Sequence, residues 1–202
     1  MPKEFIPDFS KSLTKDFYLQ SPEIVARALI GTILVRQVED NETIAARIVE
    51  TEAYLANGDL ASHSAPGLTM RNAAMFEAGG IIYIYFIYGM HYCMNVVTEP
   101  EGIGSAVLLR AAEPLMGIDL MMKNRNSKNI NTLCKGPGNL AKAFGFVKED
   151  NFTSLQSSKL YIQKSYTNIH TVTAPCKRIG ISKSEDLLLR FLADGSPFIT
   201  RK

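Results

Sequence analysis

Tryptophan is absent from this 202-residue chain, so the most familiar platform for stacking a sugar ring is missing. Cysteine is scarce as well. Cys93, Cys134 and Cys176 are odd in number, far apart and without a CxxC pair or a His/Cys cluster, which argues against a disulfide frame and against a zinc or iron–sulfur site. A reducing cytoplasm suits them. No apolar run approaches the roughly 18 residues of a membrane span, and Met1 to Thr14 mixes lysine, acidic residues and proline without an apolar signal core. The expectation is a soluble, unexported protein. Internal repeats, linkers and low-complexity tracts are also missing.

With 46% hydrophobic residues and near-zero mean hydropathy, the composition suits one domain, 1–202, with a full core. The net charge is only +2, but it is unevenly spread. Lys123, Arg125, Lys128, Lys135, Lys142 and Lys148 fall between Met121 and Lys148 with no acidic residue; these six positive charges leave about −4 on the remainder. Such a stretch can face a polyanion or simply be solvated.

Ser21-Pro22 reads as a helix start, with Ile24, Val25, Ala28 and Leu29 as one apolar face and Gly31 as the stop. Thr32 to Val38 and Ile44 to Leu55 read as strands across the turn Glu39-Asp40-Asn41-Glu42. On the second strand Ile44, Ala46, Ile48, Glu50, Glu52 and Tyr54 are expected to share a face, with Arg47 on the other. One or two helical turns are expected over Asn72 to Ala78. Further strands are expected over Cys93 to Thr98 and Ser105 to Ala112, followed by a helix opened by Pro114. A loop over Asn124 to Thr132, a short helix over Asn139 to Phe144, and late strands over Cys176 to Ile181 and Leu187 to Leu192 complete the reading. Hairpins mixed with scattered helices point to an α+β fold.

Residues 81–92 carry four of the eight tyrosines in a short apolar stretch broken by one glycine. As a hairpin turning at Tyr88-Gly89, this stretch places Tyr83 and Tyr85 on one face, Ile82, Ile84 and Phe86 on the other, and Tyr88 at the tip. Core packing is one use of such aromatics. Stacking against a nucleobase, worth roughly 1 to 3 kcal/mol per base, is another. Glu50 and Glu52 lie two apart on one strand, roughly 7 Å between Cα atoms, so burial would require a cation or raise a carboxyl pKa, as in general bases. A solvent-exposed strand end is the alternative. Arg110 interrupts the apolar run 107–112 and must find an anion, with Glu52 the natural candidate. His63 sits in a polar Ser-His-Ser loop. Gly136-Pro137-Gly138 before a helix could hold a phosphate on backbone amides or be a routine cap.

Taken in order, several segments closely resemble the alkyladenine (3-methyladenine) DNA glycosylase family. They are Arg47-Ile48-Val49-Glu50-Thr51-Glu52-Ala53-Tyr54-Leu55, Ser62-His63-Ser64, Arg71-Asn72, the tyrosine hairpin through Met90, Cys93-Met94-Asn95-Val96 and Leu108-Leu109-Arg110-Ala111. The resemblance covers about residues 16 to 200, including Cys134-Lys135-Gly136-Pro137 and Gly195-Ser196-Pro197-Phe198, and is to the compact bacterial form. It implies a single α+β domain with a curved antiparallel sheet, surrounding helices and a protruding hairpin that enters the minor groove. It also implies hydrolysis of the N-glycosidic bond of alkylated or deaminated purines such as 3-methyladenine, hypoxanthine or ethenoadenine. Glu52 would activate the attacking water with Arg110 beside it. Tyr54, His63 and Tyr85 would enclose the flipped base, and Asn95 would reject normal guanine. Tyr88 would be the wedge, with Met90 beside it; His91 stands where better-known members carry an aromatic.

Enzymes that act on a base must take it out of the stack, and the wedge, aromatic pocket, water activator and basic surface each have a candidate here. Arg71, Lys135 and Lys142 are the candidate backbone contacts. Nothing argues for a lysine nucleophile, so a monofunctional glycosylase is expected, without metal or cofactor, acting as a monomer on damaged double-stranded DNA in the bacterial cytoplasm with the nucleoid. Two rivals are a non-catalytic nucleic-acid binder and a carbohydrate glycosidase using Glu50 and Glu52. Acidic residues beside the aromatic pocket weaken the first; the missing tryptophan and the basic 121–148 stretch weaken the second.

Overall fold

Among the described residues, eight strands build one curved antiparallel sheet. They are β1 Ile33–Gln37, β2 Thr43–Tyr54, β3 Ile82–Ile87, β4 His91–Thr98, β5 Ser105–Met116, β6 Gln156–Ser157, β7 Leu160–Gln163 and β8 Arg190–Leu192. Their order is β3-β4-β5-β2-β1-β7-β6, with β8 beside β2. The computed structural model describes residues 5–38, 42–87, 89–165 and 171–200. Tyr88 and most of the turn 39–42 therefore lie outside the described residues. The helices are α1 Lys15–Tyr18, α2 Pro22–Leu29, α3 Ile118–Arg125 and α4 Pro137–Ala143, and the whole is the α+β single domain expected. None of the described helices is long and apolar enough to cross a membrane.

The helices cover one face of the sheet. Val25, Ala26 and Leu29 of α2, Met121 of α3 and Leu140 of α4 pack with Ile82 and Ile84 of β3, Met94 and Val96 of β4, and Val107 and Leu109 of β5. Alternation then turns Tyr83, Tyr85, Cys93, Asn95, Ala106 and Leu108 to the opposite face, as the hairpin pattern predicted. The apolar face of α2 is corrected by one step. Its buried positions are Pro22, Val25, Ala26 and Leu29, an i, i+3, i+4, i+7 set, while Ile24 is exposed.

The decisive irregularity is in β2. Ile48 stands opposite Ala112 and Glu50 opposite Ala111, leaving Val49 without a counterpart; one step on, Thr51 stands opposite Leu109, leaving Arg110 without one. A bulge inverts the alternation beyond it. Upstream, Ile44, Ala46 and Ile48 enter the helical core. Downstream, Ala53 joins that core and Thr51 donates from Oγ1 to the Ala26 carbonyl at 2.8 Å. The expected single face from Ile44 to Tyr54 is thus corrected: Glu50, Glu52 and Tyr54 occupy the face away from the helices, together with Arg110.

Two further expectations are corrected. Pro114 does not open a helix but continues β5, at a register shift opposite Ala46, where a missing N–H is tolerated. The helix starts after Gly117 (φ +71°), where a Cβ would meet the Thr43 carbonyl oxygen at 2.5 Å, so glycine is required. Cys176 to Ile181 is not a strand; only Cys176 bridges Arg190, and the following residues form a loop over the sheet. At the sheet's end, β3 is capped by the 151–155 segment. Ile82 donates to the Thr153 carbonyl (2.9 Å) and accepts from Phe152 N–H (3.0 Å), and Ile84 N–H reaches Asn151 Oδ1 (2.9 Å).

Candidate active site

On the face of the sheet opposite the α-helical core, the sheet, the 59–76 segment, the 179–183 loop and the start of α4 enclose a cavity of about 430 Å³, within the roughly 300–1,000 Å³ of small-molecule sites. Tyr54, His63, Tyr85, Asn95 and Arg110, all picked out from the sequence, line it. Tyr83, Met75, Cys93, Ala106, Leu108 and His91 add to the wall. The His63 and Tyr85 rings meet edge-on at 4.5 Å between centroids, and His63 Nδ1 shares a hydrogen bond of 3.0 Å with the Tyr83 hydroxyl. Burial, then the charge of Arg71, lowers the His63 pKa, so the ring is neutral at neutral pH. Asn95 donates from Nδ2 to the Tyr83 carbonyl at 3.0 Å, which fixes its amide in the wall.

Glu52 is fully buried behind this wall. Its Oε2 accepts from the Tyr54 hydroxyl (3.0 Å) and from Arg110 Nη1 (3.2 Å), and its Oε1 accepts from the Ile179 N–H (2.7 Å). Burial raises its pKa; Arg110, the Ile179 amide and Tyr54 offset part of that shift. A carboxylate so placed is a stronger base than one in water. Glu50 is equally buried. It accepts from Arg110 Nε (3.0 Å), Arg190 Nε (2.8 Å) and the Thr200 N–H (2.6 Å). Two carboxylates thus face two guanidiniums, the compensation such burial requires.

Several participants escaped the sequence reading. Arg190 interrupts Leu187-Leu188-Leu189 and Phe191-Leu192 as Arg110 interrupts its own strand, so the same signal was present. Arg178 is buried, forks onto Asp59 at 2.6 and 2.8 Å, and lies 4.6 Å from the Tyr54 ring centre, behind the cavity wall. The Ile179 amide carries no side-chain signal at all. Of the candidate backbone contacts, Arg71 and Lys142 are exposed, and Lys135 donates to the Pro197 carbonyl at 3.1 Å. Met90, on the hairpin beyond β3, is 70% exposed. Pro137 and Gly138 of α4 reach the cavity wall, and a Cβ on Gly138 would crowd His91 at 3.1 Å. Among the described residues no group of three His, Cys, Asp or Glu side chains is arranged to hold a metal ion.

Residues 16–197 match the family model described as methylpurine-DNA glycosylase (MPG). Relatives carrying the name "Putative 3-methyladenine DNA glycosylase" align along almost the whole chain. One from Prosthecochloris aestuarii is 43% identical over 187 residues, 93% of this chain and 90% of its own. One from Methanoculleus marisnigri is 43% identical over 198 residues, 95% of this chain and all of its own. One from Legionella pneumophila is 42% identical over 196 residues, 95% of this chain and 99% of its own.

Proposed function

The chain belongs to the methylpurine-DNA glycosylase family, and from that membership we propose a reaction in which Glu52 activates water to displace a damaged purine flipped into the 430 Å³ cavity. It is a DNA glycosylase of DNA repair. The observation that carries the residue assignment is a wholly buried carboxylate, Glu52, hydrogen-bonded to a cavity-lining arginine beneath an aromatic wall.

Oε1 of Glu52 has one protein donor and Oε2 has two, so Oε1 keeps a lone pair for a water proton. Cleavage of the N-glycosidic bond develops oxocarbenium character on the deoxyribose, which a carboxylate on that side stabilises while it takes the proton. Tyr54, His63 and Tyr85 stack against the extruded base; Asn95, anchored through its amide, rejects the extra amino group of guanine. A base made cationic by alkylation departs without further help. Hypoxanthine and ethenoadenine, as neutral leaving groups, need a proton, and are proposed here as further substrates. Tyr88 and Met90 fill the gap in the duplex, and Arg71, Lys135 and Lys142 hold its phosphates. We propose action as a monomer, in a single domain 1–202, on double-stranded DNA at the nucleoid.

The carbohydrate reading fits less well. Glu50 has its oxygens taken up by Arg110, Arg190 and both the N–H and the hydroxyl of Thr200, four donors against the three on Glu52, so no lone pair is left to meet a sugar. The test is incubation with methylated duplex, and with duplexes carrying one hypoxanthine or one ethenoadenine, followed by alkali. Native protein should leave alkali-labile abasic sites, whereas Glu52→Gln should bind damaged duplex and release no base. Undiminished release by that variant would remove Glu52 from the role of base.

A further inference from the structure

Two of the three nitrogens of the Arg110 guanidinium are committed to different glutamates: Nε to Glu50 at 3.0 Å and Nη1 to Glu52 at 3.2 Å. Nη2 has no protein acceptor among the described residues, and the side chain borders the cavity. Resting on the reading of Glu52 as the base, we infer that Glu50 is a positioning residue for the hydrolysis, holding Arg110 by Nε so that it meets Glu52 through a single contact and keeps Nη2 for the cavity.

An arginine and a carboxylate left to themselves close as a two-pronged pair. If Arg110 did so on Glu52, the oxygen needed for water would be tied up, and the guanidinium would turn from the reacting atoms. Glu50 prevents this because it is itself immobilised. Arg190 Nε holds its Oε1 at 2.8 Å, the Thr200 N–H holds its Oε2 at 2.6 Å, and the Thr200 hydroxyl donates to the same carboxylate. Arg190 Nη2 closes the ring on the Thr200 carbonyl at 2.9 Å. The bulge at Val49 brings Glu50 to this face, where Arg110, Arg190 and Thr200 take up its oxygens, and of these partners Arg110 borders the cavity, so Glu50 acts through Arg110.

The consequence is a pH signature. Glu52 is faced by Glu50 and Tyr54 on β2, Arg110 on β5, Arg190 on β8, and Cys176 and Arg178 in the segment before and along the cavity loop. Glu50→Gln removes a like charge that raises the Glu52 pKa and releases Arg110 to close on Glu52, and both changes displace the acid limb of the rate toward lower pH.

Single-turnover base release from an alkylated duplex, followed across the acid pH range, tests this. Glu50→Gln should lose at least roughly tenfold in the plateau rate, with the acid limb moved to lower pH and damaged-duplex affinity within about twofold of native. Thr200→Val keeps the backbone donor and removes only the hydroxyl; it should move the limb the same way by less, and serves if Glu50→Gln does not fold. An unmoved acid limb in the folded variants, or a rate loss matched by an equal loss of affinity, would overturn the inference. If Glu52→Gln is inactive while these limbs stay put, only the positioning role fails; if Glu52→Gln still releases base, the base assignment itself fails.

Discussion

Replacing Arg178 by methionine isolates the electrostatics behind the cavity wall. Arg178 and Asp59 are both wholly buried and meet fork to fork at 2.6 and 2.8 Å; the same guanidinium also donates to the Ala53 carbonyl at 3.1 Å and borders the Tyr54 ring at 4.6 Å. Methionine fills much of the volume but strands Asp59 as an unpaired buried charge, which costs about 3–5 kcal/mol. Loss of the ring contact accounts for about 0.5–2 kcal/mol more. At about 2–4 °C per kcal/mol in a chain of this size, the pair alone lowers Tm by roughly 6–20 °C. Asp59→Asn in the same chain removes the stranded charge and should return a substantial part of the loss. Urea denaturation of native, single and double variants gives the coupling between the two sites. A loss below about 1 kcal/mol in Arg178→Met, the value of an exposed pair, would refute the reasoning, as would a double variant no more stable than the Arg178→Met single.

Base release should rise with pH through an inflection above the ordinary carboxylate range, because burial raises the Glu52 pKa and only the ionised form takes a proton from water; a rate flat across that range would contradict it. The same shift makes the contribution of Glu52 to stability present at low pH and lost as pH rises through its folded pKa. Tyr88→Ala should reduce the flipped fraction of an ethenoadenine duplex, read by fluorescence, if the hairpin tip intercalates; an unchanged equilibrium would deny it. Neutralising Lys135 and Lys142 together should weaken damaged and undamaged duplex alike and flatten the salt dependence by about 0.9 per lost phosphate contact, leaving specificity intact. An unaltered slope would place the DNA surface elsewhere, around Arg71 and the hairpin.

The Glu52–Arg110 contact was legible because an arginine inside an apolar strand has few places to go, and the facing of Tyr83 and Tyr85 because period-two alternation holds unbroken through β3. The phase change in β2 was not. Val49 is as apolar as Ile48 before it, so nothing in the residue types marks a bulge there, although it reverses the meaning of the pattern beyond. Pro114 misled for a related reason, since proline suits both a helix start and a strand irregularity, and only the pairing with Ala46 decides. Ile179 and Ile181 have strand-forming side chains, but the backbone amide of Ile179 is drawn off to Glu52. Arg178 and Asp59 lie far apart in sequence and are joined only by the tertiary fold.

The covering of β3 by the 151–155 segment bears on how this protein is made in quantity. Ile82–Ile87 reads Ile-Tyr-Ile-Tyr-Phe-Ile, six residues of high strand propensity without charge or proline, the composition that favours strand-to-strand aggregation when an edge is bare. In the native chain the inner half of that edge is occupied, because Ile82 exchanges hydrogen bonds with Phe152 and Thr153 and Ile84 is met by Asn151. Nearly seventy residues separate these partners, so during synthesis the aromatic strand emerges well before its cover. Weakening the Asn151 contact should therefore show first as lower soluble yield and greater sensitivity to expression temperature, before any loss of chemistry in the molecules that do fold.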